Sequence, residues 1–317
     1  MQRDSANFSL PLPEGWPLSI ALEQAVAIGR SRATNLSAAA YALRHALRPT
    51  RLAELEVLHA AQYHAAKPFP HTVIDRLLPD WIIQSISEEM PETYFERNVT
   101  KRFAGCYDKA RSYEGKDFYC ASLKGREVGK SSLQSENSMG PYTIMVFRAL
   151  KSVEFTAFLA RLSSLERPLY PDPAYEGSGA SMISPGGYLG LHADFNVYRK
   201  YSAARRVNTF LFLNREWPDV YGGHLELWNR ELTRCDQRIL PIWNRFVVFS
   251  TTDFSWHGHP SPLTTPHGRM RRSLALYFYS KGRPAAECLD GDCSGDGHGT
   301  IFAKRSLANP NRPRFKG

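Results

Sequence analysis

Apolar residues recur at helical spacing over the N-terminal part of the chain, between charged and polar positions. Three segments show apolar spacings of three and four residues, and each predicts an amphipathic helix: 19–29, 36–47 and 51–65. The first 17 residues carry three prolines and predict an irregular arm. We therefore predict an N-terminal arm and helical extension over residues 1–66 and one larger domain over residues 67–317. The extension could cover a substrate, contact a second copy of the chain or dock a partner.

The pattern changes after residue 67. Residues 71–78 predict a strand, and the apolar positions in 82–86 predict an amphipathic helix behind it. The polar, glycine-bearing segment 98–140 predicts long loops, of the kind that often cover a substrate. Residues 142–165 begin like a strand and continue with helical spacing, so we expect a strand that turns into a helix.

From residue 181 onward, short apolar or alternating runs are separated by turn residues. Five runs have lengths typical of strands: 181–194, 205–214, 222–228, 245–250 and 271–279. In the first of them, Gly186 and Gly187 predict a turn between two extended pieces. Many short strands with little helix between them favour an antiparallel sandwich or jelly roll over a fold of alternating strands and helices.

Two of these runs bring together side chains that suit a metal site. His192 and Asp194 are two residues apart, so in an extended segment both project to the same side. His257 follows the run 245–250 and could reach them from an opposing sheet. Two neutral imidazoles and one carboxylate can hold Fe(II) on one face and leave three positions open. A His-x-Asp pair alone is weak evidence, and its weight here comes from the strands around it.

The composition is that of an ordinary globular protein with a basic balance. Of 317 residues, 43% are hydrophobic and 22% charged, and 40 Lys and Arg against 31 Asp and Glu give a net charge of +9. This charge suits small anions or acidic peptides, and the lack of long basic runs argues against nucleic acid. We see no export signal and no apolar run of membrane-spanning length, and we expect a cytoplasmic protein with no membrane association. The five scattered cysteines are expected to be reduced thiols.

Several segments together resemble the iron- and 2-oxoglutarate-dependent oxygenases, specifically their prolyl-4-hydroxylase-like branch. The resemblance covers roughly residues 67–305 and rests on HADFN at 192–196, RRVNTFLFLN at 205–214, YGGHLELW at 221–228, SWHGHPSPL at 255–263, RRSLALYFY at 271–279 and GHGTIFAKR at 297–305. It implies a fold that is mainly β with flanking helices (α+β), built on a double-stranded β-helix (jelly roll) core. It also implies Fe(II), the cosubstrate 2-oxoglutarate and O2, with ascorbate as the reductant.

The resemblance implies a role for each residue of the triad. His192, Asp194 and His257 match the iron ligands and are the expected catalytic residues, while the text HGHP favours His257 over the nearby His259. Related iron halogenases lack the carboxylate, so the presence of Asp194 favours hydroxylation.

Other residues match the family's cosubstrate site. Arg271 matches the residue that binds the distal carboxylate of 2-oxoglutarate through both guanidinium nitrogens, and the adjacent Arg272 is the competing assignment. Asn208 shares strand parity with Phe212, so it either faces the pocket or is a satisfied polar group of the core. Tyr188 either contacts the cosubstrate or packs. Some relatives have a tyrosine that supports 2-oxoglutarate where this chain has Phe212.

The resemblance implies a dioxygenase that hydroxylates an unactivated C–H bond and releases succinate and CO2. We expect as substrate a free amino acid or natural-product intermediate first, and a prolyl residue of a peptide or protein second. A catalytically inactive jelly-roll binding module is the alternative, and a homodimer is an open expectation. Five basic residues would suit an anionic substrate or form a solvated face: Arg199, Lys200, Arg205, Arg206 and Arg269.

Overall fold

The computed structural model describes residues 33–90, 119–120, 126–291 and 297–303. The helices in this part of the chain are α1 (Ala33–Ala46), α2 (Pro49–Ala65), α3 (Asp80–Glu89), α4 (Pro141–Leu150) and α5 (Val153–Leu162). The strands are β1 (His71–Asp75), β2 (Tyr119–Cys120), β3 (Glu127–Leu133), β4 (Tyr170–Pro171), β5 (Gly179–Ala193), β6 (Val197–Tyr198), β7 (Ala203–Phe212), β8 (Leu225–Trp228), β9 (Cys235–Ile239), β10 (Arg245–Ser250), β11 (His257–His259), β12 (Arg271–Ser280) and β13 (Ile301–Phe302). None of the helices within these ranges is long and apolar enough to cross a membrane.

The strands form one antiparallel sheet that divides into two layers. One layer has the strand order β1-β10-β7-β12-β5, and the other continues as β5-β11-β8-β9. The long strand β5 belongs to both, because residues 179–183 pair with β12 whereas Leu189 and His192 pair with β11. A shared strand between two antiparallel layers with this non-sequential order is the arrangement of a jelly roll. The predicted fold class is therefore confirmed.

Gly186 and Gly187 lie at a bend where β5 passes from one layer to the other, and not in a turn between two separate extended pieces. The Gly186 N–H donates to the carbonyl of Leu263 at 2.9 Å, and the Leu263 N–H donates to the carbonyl of Gly187 at 3.0 Å. Gly186 has a φ of 75°, and a side chain at position 187 would lie 2.8 Å from the carbonyl oxygen of Val128. The two expected extended pieces are therefore one bent strand, and its second half carries His192.

The helices pack against the first layer and share its apolar core. Helix α1 contacts α4, and α2 contacts both α5 and β1. Leu43 of α1 and Leu52 of α2 belong to the same buried cluster as Phe147 of α4 and Leu211 of β7. The predicted boundary near residue 67 falls between α2 and β1 and stays a prediction. The helix expected at 19–29 lies outside the described residues.

Helix α4 stands where the sequence predicted a strand at the start of 142–165, so that prediction is wrong. Seven of its ten residues are buried, and a run that is apolar on every side has no periodicity to separate helix from strand. Its first turn is capped by the buried Glu89 carboxylate, which accepts the N–H groups of Tyr142 and Thr143 at 2.8 Å each. A carboxylate at the N-terminus of a helix also interacts favourably with the helix dipole.

Strand β3 lies inside the segment 98–140, for which long loops were expected. It pairs with both halves of β5, from Glu127 opposite Leu189 to Leu133 opposite Ala180. The expectation is wrong for this stretch, and most of the preceding part of the segment lies outside the described residues.

One cysteine departs from the expected reduced state. Cys288 is disulfide-bonded, whereas Cys235 is a free thiol. Disulfides are typical of oxidising compartments, so this bond does not support the predicted cytoplasmic location, which stays a prediction.

Candidate metal centre

The fold brings His192, Asp194 and His257 together on the inner face of the second layer. His192 of β5 and His257 of β11 lie directly opposite each other in the register of the two strands. Their ring centroids are 4.3 Å apart. The Nε2 atoms of His257 and His192 lie 3.3 Å and 3.6 Å from the Asp194 carboxylate oxygens. One nitrogen or oxygen atom from each residue lies within 4.8 Å of the other two.

Backbone carbonyls hold both imidazoles in the tautomer that a metal requires. Nδ1 of His192 lies 2.8 Å from the carbonyl oxygen of Gly190, and Nδ1 of His257 lies 2.9 Å from that of Ser255. A carbonyl can only accept, so each Nδ1 carries the proton and each neutral Nε2 presents a lone pair. These lone pairs face a carboxylate, an arrangement that becomes favourable when a cation lies between them. The donor set therefore fits a divalent metal ion such as Fe(II).

The protonation states of His192, His257 and Asp194 are compatible with metal binding. Burial lowers the pKa of His192 to about 4, with a further contribution from His257, so its imidazole is neutral at pH 7. Burial likewise lowers the pKa of His257. For Asp194, burial alone would raise the pKa, but Arg205, the two histidines and a hydrogen bond outweigh it and hold the pKa well below its usual range. All three groups are in the protonation state that binds metal.

Arg205 and Asn208 orient the Asp194 carboxylate, and Arg205 was not expected inside the protein. Asn208 Nδ2 donates to Asp194 Oδ2 at 2.7 Å, and Asn208 Oδ1 accepts from Arg205 Nε at 2.8 Å. Arg205 Nη2 forms an ion-pair contact with Asp194 Oδ2 at 3.1 Å. The guanidinium carbon lies 3.3 Å from the ring centroid of Tyr277 and 4.7 Å from that of Phe195. Asn208 was predicted to face the cosubstrate pocket or to be a satisfied polar group of the core. In the structure it donates a hydrogen bond to Asp194, one of the candidate metal ligands.

An irregularity in β7 explains how Arg205 and Asn208 face the same way although they are three residues apart. Tyr277 of β12 lies opposite Asn208, whereas Tyr279 lies opposite Arg205, so the pairing with β12 passes over Arg206. One extra residue in a strand reverses the facing of those beyond it. Arg206 instead pairs with Glu287 at 2.9 Å. Alternation alone would place Arg205 outside, which is why the sequence did not single it out.

Arg271 and Arg272 point to opposite sides of β12. Arg271 is 6% exposed, lies 4.9 Å from the ring centroid of Phe212, and donates from Nε to the carbonyl of Gly223 at 2.7 Å. A side chain at position 223 would come within 2.9 Å of Arg271 Cδ, so a glycine is required here. Arg272 turns outward and donates to Ser87 of α3 at 3.2 Å.

The buried guanidinium of Arg271 forms no ion pair with any carboxylate in the described ranges. Burial is the only cause that lowers its pKa, to about 9, so no neighbouring charge compensates it. A buried cation without an anionic partner is a site for a ligand carboxylate. This burial is consistent with the predicted assignment of Arg271 to the distal carboxylate of 2-oxoglutarate, which stays a prediction.

Lys130 brings a further charge to the inner face. It lies opposite Ile183, which in turn lies opposite Arg271, so the three strands place these residues in one row. Its Nζ lies 2.6 Å from Glu127 Oε1. Burial alone would lower the pKa of Lys130, but Glu127 outweighs it and raises that pKa. No motif in the sequence pointed to either residue.

The segment after residue 297 closes one side of the triad. Phe302 of β13 lies opposite His192 in the register, with its ring centroid 5.4 Å from the imidazole. His298 anchors the segment through two contacts. Its backbone N–H donates to Asn196 Oδ1 at 2.8 Å, and its ring Nε2 lies 3.0 Å from Asp253 Oδ1. The text GHGTIFAKR thus marks a piece that covers a predicted iron ligand.

The remaining predicted residues are more loosely connected to the triad. Tyr188 is half-buried on β5 opposite Val128, and its contact with a cosubstrate stays a prediction. Of the five basic residues considered for an anionic substrate, Arg199 and Lys200 are exposed. Arg205 and Arg206 are buried, so the reading of a solvated face is wrong for these two.

Comparison with known families matches this region. Residues 178–279 match the model of the 2OG-Fe(II) oxygenase superfamily. The match contains the triad, Arg205, Asn208 and Arg271. No curated protein sequence matches the chain significantly.

Several solved structures match the chain at low sequence identity. A prolyl hydroxylase from Trichoplax adhaerens, in complex with a hypoxia inducible factor oxygen degradation domain peptide fragment, is 15% identical, with a TM-score of 0.50, over 73% of this chain and 92% of that one. A Pseudomonas putida prolyl-4-hydroxylase is 15% identical, with a TM-score of 0.45, over 70% of this chain and 99% of that one. A non-heme alpha ketoglutarate dependent carbocyclase from nogalamycin biosynthesis is 11% identical, with a TM-score of 0.43, over 70% and 83%.

Proposed function

Because residues 178–279 match the model of the 2OG-Fe(II) oxygenase superfamily, we propose that the chain is a dioxygenase that hydroxylates an unactivated C–H bond. In the overall reaction, substrate, 2-oxoglutarate and O2 give hydroxylated substrate, succinate and CO2. One oxygen atom enters the new hydroxyl group and the other enters succinate. The C–H bond and the oxidative decarboxylation each supply two of the four electrons that reduce O2.

The proposal rests on one observation: two neutral imidazoles and an oriented carboxylate lie close together in a buried site. His192, Asp194 and His257 would hold Fe(II), which when bound supplies the oxygen activation and C–H chemistry. Asn208 and Arg205 would keep Asp194 in position, since both contact the oxygen that lies nearest to His257. A catalytically inactive binding module would have no need of this complete set.

The cosubstrate is proposed to extend from the metal to Arg271. The guanidinium would bind the distal carboxylate of 2-oxoglutarate, because it is buried and lacks an anionic partner among the described residues. Phe302 covers His192 and would keep water from one side of the reacting centre. Ascorbate is expected to sustain turnover by keeping the iron reduced.

A free amino acid or a related small natural-product intermediate is the substrate that we favour. The ion pair of Lys130 and Glu127 presents both charge signs, which would complement the carboxylate and ammonium groups of an amino acid. Lys130 is close enough to Asp194 for their charges to interact, so this pair borders the triad. A prolyl residue of a peptide is the second candidate, and the likeness to the Trichoplax enzyme bears on the fold alone.

The test is succinate formation by the purified protein with Fe(II), 2-oxoglutarate, ascorbate and O2. We expect metal-dependent succinate that is lost in His192→Ala and Asp194→Ala, while His224→Ala, a buried histidine outside the triad, retains it. Arg271→Met should raise the KM for 2-oxoglutarate, and Arg272→Met should not. Turnover that survives both triad substitutions would overturn the proposal. A panel of amino acids and prolyl peptides, monitored for a gain of one oxygen atom, then separates the two substrate classes.

A further inference from the structure

His259 is a buried histidine whose ring has no hydrogen-bond partner. It is 3% exposed, and among the described residues neither Nδ1 nor Nε2 forms a hydrogen bond. The other buried histidines of the inner strands differ, because His192 and His257 each bond a carbonyl through Nδ1. An imidazole that is buried without partners costs free energy, because both nitrogens have lost their water. Such a group points to a ligand that completes it.

The strand register places His259 between the triad and Arg271. His257 lies opposite Leu227 of β8 and Gly258 opposite Glu226, so continuing this register brings His259 next to Leu225 and, by alternation, to the face of His257. The pairing of β11 with β5 is irregular at this point, where His259 lies opposite Leu189. The step from His257 to His259 moves roughly 7 Å along the strand, away from the metal ligands. Two residues before Leu225 is Gly223, whose carbonyl accepts the Nε–H of Arg271. Leu225 and Leu227 share a buried cluster with Phe212, against which Arg271 lies.

Basic groups surround His259, and none of its electrostatic neighbours among the described residues is acidic: they are Arg271, Lys130 and His192. A neutral imidazole carries one N–H, which needs an acceptor. Arg271 is likewise buried and has no carboxylate partner in the described ranges. The acceptor that suits both groups is therefore an anionic oxygen shared between them.

We propose that His259 donates a hydrogen bond to the distal carboxylate of 2-oxoglutarate, beside the guanidinium of Arg271. This role rests on the proposed function, and it makes His259 a cosubstrate-binding residue that sets the preference for a dicarboxylic over a monocarboxylic 2-oxo acid. The carboxylate would satisfy the orphan N–H, and Arg271 would supply the balancing charge. The sequence offered a signal for it, because HGH in a strand puts two histidines on one face.

The experiment compares two ligands that differ in the distal carboxylate. 2-Oxoglutarate and 2-oxobutyrate are titrated anaerobically into the Mn(II)-loaded protein by calorimetry, so that no turnover intervenes. We expect His259→Leu to weaken 2-oxoglutarate binding roughly ten- to hundredfold, as for loss of a hydrogen bond to a charged group. The same substitution should change 2-oxobutyrate binding less than about threefold. His259→Gln, which retains an N–H donor, should recover part of the 2-oxoglutarate affinity.

Stability measurements separate this role from a structural one. Because the His259 ring has no described hydrogen bond, His259→Leu should leave the free energy of unfolding of the ligand-free protein unchanged or raised. The matched control is His224→Leu, since His224 is as buried but lies within hydrogen-bond distance of Asp219 and Arg238. This control should lose stability and keep its affinity for 2-oxoglutarate.

Several results would overturn the proposal. Unchanged 2-oxoglutarate affinity in His259→Leu, equal loss for both ligands, or failure of both His259 variants to fold would each do so. Failure of the unaltered protein to bind 2-oxoglutarate would overturn the proposed function as well. Binding without succinate formation would overturn the proposed function alone, so the two failures are distinguishable.

Discussion

Replacing Arg205 with methionine removes the cation beside Asp194 while keeping an unbranched apolar side chain in the same space. Arg205 is 1% exposed, and its Nη2 lies 3.1 Å from Asp194 Oδ2 while its Nε donates to Asn208 at 2.8 Å. Burial alone would raise the pKa of Asp194, and Arg205 is the largest influence in the opposite direction. The substitution therefore leaves a buried carboxylate with much less compensation.

The expected cost is large in the metal-free protein. Removing one partner of a buried ion pair costs about 3–5 kcal/mol, because the remaining charge stays desolvated. Proteins of this kind unfold with a free energy of about 5–15 kcal/mol, so a substantial part of the stability is at stake. A bound divalent cation supplies another positive charge to the same carboxylate. With saturating Mn(II), Arg205→Met should therefore lower the free energy of unfolding by less than it does in the metal-free protein.

The assay is urea denaturation, followed by tryptophan fluorescence, of the metal-free and the Mn(II)-saturated protein. Arg206→Met is the matched control, because Arg206 is the neighbouring buried arginine but pairs with Glu287. Arg206→Met should lower the free energy of unfolding by the same amount with and without Mn(II). The reasoning is refuted if metal-free Arg205→Met loses less than about 1 kcal/mol, or if Mn(II) leaves its cost unchanged.

Three further outcomes follow from other contacts. Asn208→Leu should weaken Mn(II) binding about ten- to hundredfold in calorimetry, because Asn208 holds the Asp194 carboxylate. Asn214→Leu is the control, since Asn214 is a buried asparagine outside the triad, and it should leave the Mn(II) affinity unchanged. Equal Mn(II) affinities of the two variants would contradict a positioning role for Asn208. Glu89→Ala should lower the free energy of unfolding by about 1–2 kcal/mol through loss of the α4 cap, while the exposed Glu88→Ala should have no effect, and matching midpoints in urea would exclude the cap. The pKa of His298 is raised, chiefly by its hydrogen bond to a carboxylate, so its stabilisation is fully present below about pH 6.5 and is lost as pH rises through the raised value. His298→Gln should remove that decline from the pH dependence of unfolding, and an unchanged slope would show that another group causes it.

Local pattern accounts for most of the fold and for the core of the candidate site. Alternation along single strands located β7, β10 and β12, and the spacing of His192 and Asp194 put them on one face. These properties depend on neighbours in the chain, which is why they are legible without tertiary contacts. Local pattern also led to the wrong prediction of a strand where α4 lies. A run of residues that is buried on all sides shows neither helical nor strand periodicity in its hydrophobic positions.

What only the tertiary structure decided is how the triad is supported. Arg205 reaches Asp194 because β7 gains an extra residue at Arg206, and that irregularity is defined by pairing with β12, far along the chain. Arg271 faces inward and Arg272 outward for a related reason, since β12 takes its facing from both neighbouring strands. The sequence by itself predicted the jelly roll and the candidate metal-ligand set, because side-chain type and alternation are local. Which cations enter the interior was decided by strand pairing, because burial of a charge depends on what the whole fold places against it.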